Sequence, residues 1–295
     1  MDEILGVPLA ALGGQLLLGL VNGAFYAVLS LGLAVVFGLL NIINFSHGAF
    51  YMVGAYAAFL GLNLLGISYW LSLLLVPLAV GAAGMLFERS MLRRLYRLDH
   101  LYGLLLTFGL TLVLEGVFRA AYGVSGQSYP VPDALRSAID LGFMVLPAYR
   151  AWVVVVALAV CGATWYVIER TRLGALLRAG TENPRLVEAF GVNVPRMVML
   201  TYGFGVALAA FAGVLAAPVL QVNALMGSGL LIIVFAVVVI GGIGSTAGTV
   251  ATAVGLGVVE SLVKIFYSEA SSTAVFLMMA LVLLVRPAGL FGKGN

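Results

Sequence analysis

The sequence predicts an all-α fold, a polytopic transmembrane helix bundle of eight or nine spans. Two observations carry this. Hydrophobic residues make up 63% of the 295 and charged residues only 9%, against roughly 25% charged in a soluble domain. With a mean hydropathy of +1.14, the chain cannot cover a water-facing surface, so lipid is its main solvent. The apolar runs are also about 20 residues long and unbroken, the length of a helix across a bilayer. A membrane barrel would instead alternate over roughly ten residues.

The expected spans lie near 12–40, 48–66, 69–87, 101–122, 150–168, 198–220, 229–243, 247–266 and 272–287. The count stays at eight or nine because 229–266 reads either as two spans or as one span with a broken, re-entrant piece. The opening MDEI is acidic and does not resemble a secretory signal. The single cysteine, Cys161, sits inside an apolar run and is read as packing.

Lysine and arginine placement sets the expected orientation. Segment 88–100 carries Arg89, Arg93, Arg94 and Arg97, and segment 169–196 carries Arg170, Arg172, Arg178, Arg185 and Arg196. The tail adds Arg286 and Lys293. All eleven fall on one side, and Arg136, in loop 123–149, falls on the other. The first side is therefore expected to be cytoplasmic, with the N-terminus and loop 123–149 outside.

Four spans precede 150–168 and four follow it, so a single linker span turns the second group over. Within the one permease domain, 1–295, this predicts a first repeat over 12–122, a linker at 150–168 and an inverted second repeat over 198–287. Each repeat opens with a long run and a short polar break, NIINFSHG at 41–48 and QVNALMGSG at 221–229. Inverted repeats with discontinuous helices mark proteins that alternate access around a central site.

Segment 181–197, TENPRLVEAFGVNVPRM, is a polar island between apolar runs. Asn183 suits an N-cap, Pro184 the first helical position and Gly191 the left-handed residue past the end. A helix over 184–190 is too short to persist alone and needs a partner to pack on. An ordinary amphipathic loop is the plainer reading.

The break holds Asn41, Asn44, Ser46 and His47. A helix starting near Gly48 would aim unpaired N–H groups at them, suiting a carboxylate or carbonyl of a small solute. The plainer reading is a cap by Asn44 or Ser46, with His47 bonded to backbone. Gly244, Gly248, Thr252, Ala251 and Gly255 recur at four-residue spacing, which permits close helix packing. A break at Gly241–Gly242 could instead line a pathway. Glu115 with Arg119, and Glu260 with Lys264, are spaced to pair along one helix, as structural pairs or as an outer gate. Neither a catalytic constellation, a metal-ligand cluster nor a nucleotide motif is visible, so active transport would draw its energy from another chain or from an ion gradient.

Residues 22–58, 178–218 and 236–261, with the terminal RPAGLFG, closely resemble branched-chain amino acid ABC transporter permeases. The resemblance implies an inner-membrane, multi-pass permease subunit with its N-terminus periplasmic and its C-terminus cytoplasmic. The implied partners are a second homologous permease, in a homo- or heterodimer, two cytoplasmic ATPases and a periplasmic solute-binding protein. No nucleic acid is implied. The chain itself would carry no cofactor, with ATP and Mg bound by the ATPases.

By the same resemblance, residues 181–195 form the coupling segment, with Glu182, Asn183, Pro184, Arg185, Glu188, Phe190 and Gly191 as its contact and shaping residues. Loop 123–149 would meet the binding protein. Many members carry an acidic residue just after the His-Gly pair, where this chain has Ala49 and Phe50. The family also takes urea, short amides and small carboxylates, so the implied substrate is a branched-chain amino acid or a related small polar solute. The competing reading is a stand-alone, ion-coupled carrier or channel, which would need no capped helix awaiting a partner.

Overall fold

The computed structural model describes residues 3–4, 7–40, 44–96 and 98–292. Eleven helices lie among them: α1 (Leu9–Leu40), α2 (His47–Leu65), α3 (Tyr69–Ser90), α4 (His100–Tyr122), α5 (Ala148–Arg170), α6 (Arg172–Glu182), α7 (Pro184–Ala189), α8 (Val194–Ala216), α9 (Met226–Gly241), α10 (Thr246–Phe266) and α11 (Ser271–Val285). Eight helical segments are long and apolar enough to cross a membrane. At 1.5 Å per residue, a 21- to 23-residue helix spans about 32–35 Å. The sixteen residues of α9 reach only about 24 Å. Residues 229–266 therefore form two separate helices, the first of them short.

Most expected boundaries hold to within a few residues. The sixth span ends at Ala216 rather than near 220, because Pro218 has no N–H with which to continue the ladder. Unexpected is α6, whose Leu173, Leu176 and Leu177 share one side, the spacing of an amphipathic helix. Loop 123–147 is also more ordered than its composition suggests. It holds a small antiparallel ladder, Ala138–Asp140 against Val145–Pro147, and Gln127 bridges to Val222.

Glycine decides which helices meet. α1 runs through the centre and packs on α10, α8 and α5, while α8 packs on α3, α1 and α2. A Cβ on Gly19 would stand 2.7 Å from the Val258 Cα, and one on Gly23 would stand 2.8 Å from the Val254 Cα. Hence α1 and α10 cross antiparallel with backbones touching. Likewise Gly81 meets Gly203 and Ala207, and Gly84 meets Val206, joining α3 to α8. The expected small-residue stripe on α10 holds in part: Gly248 lies against the Gly241 backbone of α9 and Thr252 is buried, while Ala251 and Gly255 are exposed. Gly255 has nothing within 4 Å, whereas Gly257 abuts Gly19 and Gly23. Gly244 lies outside α10 and meets Gly38.

The helix starts of α2 and α9 meet at their glycines. A Cβ on Gly48 would lie 2.5 Å from the Gly227 carbonyl oxygen, and Gly227 is as tightly opposed by the Gly48 backbone. Each helix is entered by the same turn. Asn44 Oδ1 accepts from the Ser46 N–H at 3.1 Å, and Asn223 Oδ1 accepts from the Leu225 N–H at 3.0 Å.

Candidate functional site

Two regions collect most of the residues singled out from the sequence, and a third holds a cluster the sequence did not single out. The first is the polar island. Asn183 Oδ1 accepts from the Leu186 N–H at 3.1 Å, capping α7 at its start. Pro184 stands in the first turn, where its missing N–H leaves nothing unsatisfied. Past the end, Gly191 takes φ +83°, and its N–H donates to the Glu188 carbonyl at 2.9 Å. The helix is six residues long rather than seven, and Glu182 belongs to the end of α6. Of its side chains only Val187 is buried. Leu186 is 54% exposed and Phe190, just beyond the end, 80%. Arg185 and Glu188 are exposed beside them. The unit is a closed turn offering two apolar side chains outward.

The second region is the break before α2. Asn41 lies outside the described residues, while Asn44, Ser46 and His47 are fully buried. Ser46 occupies the N-cap position of α2 but makes no capping bond. Its hydroxyl donates to Asn44 Oδ1 at 2.6 Å, so Asn44 organises the turn. His47 Nε2 lies 2.9 Å from the Leu29 carbonyl and donates to it. Neither His47 Nδ1 nor Asn44 Nδ2 has a hydrogen-bond partner among the described residues. Tyr202 of α8 is buried beside Asn44 and Ser46. The three side chains are buried among the helices.

Gly241 ends α9 and Gly242 follows it at φ +97°. Both are buried beneath the C-terminal segment, where the Leu290 N–H donates to the Ile240 carbonyl at 2.7 Å and the Phe291 N–H to the Gly241 carbonyl at 3.3 Å.

The two i, i+4 charge pairs are not closed. Glu115 is buried while Arg119, one turn on along the same side of α4, is exposed, and no ion pair among the described residues joins them. Glu260 instead accepts a 2.9 Å hydrogen bond from the Tyr26 hydroxyl, and Lys264 is exposed.

The third region escaped sequence reading altogether. Glu88, in the last turn of α3, is fully buried. Arg93 Nε reaches its Oε1 at 3.2 Å and Arg93 Nη2 its Oε2 at 2.9 Å. The Tyr96 hydroxyl donates to Oε1 at 3.0 Å. Burial and the neighbouring carboxylate push that hydroxyl well above the usual tyrosine range. The five-residue spacing of Glu88 and Arg93 is not a helical one. A 3₁₀ turn at Leu92–Leu95 brings them together.

Long apolar helices with polar groups held in their interior mark a multi-pass membrane protein. The described residues hold no group of His, Cys, Asp and Glu that could ligate a metal. The chain belongs to the family of permease components of the branched-chain amino acid transport system, whose sequence profile matches residues 15–286. It is 30% identical to the high-affinity branched-chain amino acid transport system permease protein BraD of Pseudomonas aeruginosa, over 95% of each chain. It is 29% identical to the corresponding protein LivH of Escherichia coli, again over 95% of each. Against LivM of the same organism, identity is 29% over 90% of this chain and 67% of the other. No solved structure matches.

Proposed function

We propose that this chain is the membrane subunit of an ATP-driven importer, moving branched-chain amino acids or a closely related small polar solute inward across a bacterial inner membrane. The observation that carries the coupling role is α7. It is a capped, six-residue helix, and Leu186 on it and Phe190 just past its end project from the arginine-rich end. A helix this short gains little from its own hydrogen bonds, and exposed apolar side chains on a polar loop fit a groove in another protein. Its partner in this reading is an ATPase subunit that binds ATP and Mg. A second permease and a periplasmic binding protein complete the complex, the latter meeting loop 123–147.

An inverted repeat fits the packing. α1 against α10 and α3 against α8 are corresponding pairs when the second group of helices is matched to the first. Asn44 and Gly48 stand four residues apart, as do Asn223 and Gly227, and the two glycines touch. The arginine-rich end is cytoplasmic in this reading, with the N-terminus outside and the C-terminus inside.

The test is leucine uptake into proteoliposomes holding the whole complex with enclosed ATP. Gly191→Val forces a β-branched residue into a left-handed conformation at a cost of about 1–2 kcal/mol. Uptake should fall severalfold while the permease stays in the membrane. Full uptake by the chain without ATPase subunits would instead favour a stand-alone carrier.

A further inference from the structure

The Glu88 cluster reaches beyond its own segment. Besides gripping Glu88, Arg93 Nη2 donates to the Pro195 carbonyl at 2.9 Å, 102 residues along the chain. Pro195 is in the first turn of α8, four residues after the glycine that ends α7. The end of α3 is thereby tied to the start of α8, immediately behind the coupling turn. The fork of a guanidinium suits this, since two N–H groups can hold a carboxylate while the fork still reaches a third acceptor.

The opposite ends of the same two helices are tied as well. The Tyr149 hydroxyl of α5 lies 2.8 Å from the Leu215 carbonyl, near the end of α8, and 2.9 Å from the Tyr69 hydroxyl at the start of α3. Between these ties, Gly81, Gly84 and Gly203 hold the helices in close contact. The two helices therefore form one stiff rod, fastened at both ends. The far end adjoins loop 123–147, where the Tyr69 and Tyr129 rings lie 6.5 Å apart.

We infer that Glu88 is a positioning residue for energy coupling: it holds Arg93 on the Pro195 carbonyl, so that a displacement of α7 moves α3 together with α8. The inference rests on the coupling reading of α7. Without Glu88, Arg93 loses the carboxylate that aims it. The near end of α3 then follows α8 only through the glycine contacts and the far tie, and ATP is hydrolysed more often without completing a transport cycle.

The experiment reads ATP hydrolysed per leucine taken up, in proteoliposomes of the full complex. Glu88→Gln and Arg93→Lys should each raise that ratio roughly threefold or more with the complex still assembled. Arg93→Lys retains a charge opposite Glu88, so it reads the same ratio should Glu88→Gln fail to assemble. A purely structural role would lower uptake and hydrolysis together and leave the ratio unchanged, and that result in Arg93→Lys overturns the inference. A separate cross-link from Leu186→Cys to an ATPase subunit tests the coupling reading itself. With that cross-link present and the ratio unchanged, α7 couples but Glu88 takes no part. With the cross-link absent, the coupling reading has failed, and the inference with it.

Discussion

Asn44 and Asn223 do the same work at two points in the chain 179 residues apart. Each accepts a hydrogen bond from the N–H two residues on, at 3.1 and 3.0 Å, and each stands four residues before a glycine where α2 and α9 meet. Their surroundings differ, because Asn44 is fully buried and Asn223 only partly. Asn44→Ala strips the acceptor from both the Ser46 N–H and the Ser46 hydroxyl. Buried unsatisfied donors cost about 1–3 kcal/mol each. Asn223→Ala should cost about 1 kcal/mol or less, since water can replace the lost acceptor. Thermal unfolding in detergent compares the two, and equal losses would contradict this account.

Glu260 should depend on Tyr26 and not on Lys264. Tyr26→Phe removes the hydroxyl that donates to Glu260, and losing a bond to a charged group costs about 1.5–3 kcal/mol. Lys264→Gln alters an exposed side chain with no ion-pair partner among the described residues and should stay within about 0.5 kcal/mol of the parent. Melting temperatures of the purified permease separate the two. A large loss in Lys264→Gln would restore the pairing along α10.

Two neighbouring glycines of α10 should respond in opposite directions. Gly255 faces open space, so Gly255→Ala should stabilise the helix by about 0.5–1 kcal/mol. Gly257 lies against the backbone of Gly19 and Gly23. There Gly257→Ala must push α1 and α10 apart, costing about 1–3 kcal/mol as overpacking does. Heat stability of the two variants reads the sign directly.

Labelling tests the orientation. Cys161 is the only cysteine and is buried, so it gives little background. Arg185→Cys and Ser125→Cys both replace exposed residues. A membrane-impermeant thiol reagent added to intact cells should modify only position 125. Labelling of position 185 from outside would reverse the topology.

What could be read in advance follows from the range of each interaction. The long helices were legible because lipid demands unbroken apolar runs. The α7 cap was legible because Asn183, Pro184 and Gly191 act within a few residues of one another. By contrast α6 hides among arginines, since an eleven-residue amphipathic helix leaves only a three-leucine trace. Glu88 and Arg93 meet through a 3₁₀ turn, so a search for helical spacing passes over them. Glu260 has a helically spaced partner in Lys264, yet its actual donor lies 234 residues away, which no local pattern reveals. At the break, composition marked Asn44 and Ser46 as turn residues but could not say which would accept. Burial then decided that Asn44 serves both donors.

The contact of Gly48 with Gly227 constrains how this sequence can change over time. Most tight packing is relieved by shrinking a neighbour, so a harmful enlargement at one site can be offset by a second mutation elsewhere. Here the opposing atoms are main chain on both sides, and no side chain remains to be made smaller. A suppressor screen begun from Gly227→Ala should therefore return revertants to glycine, or substitutions that shift a whole helix, and none at position 48 itself.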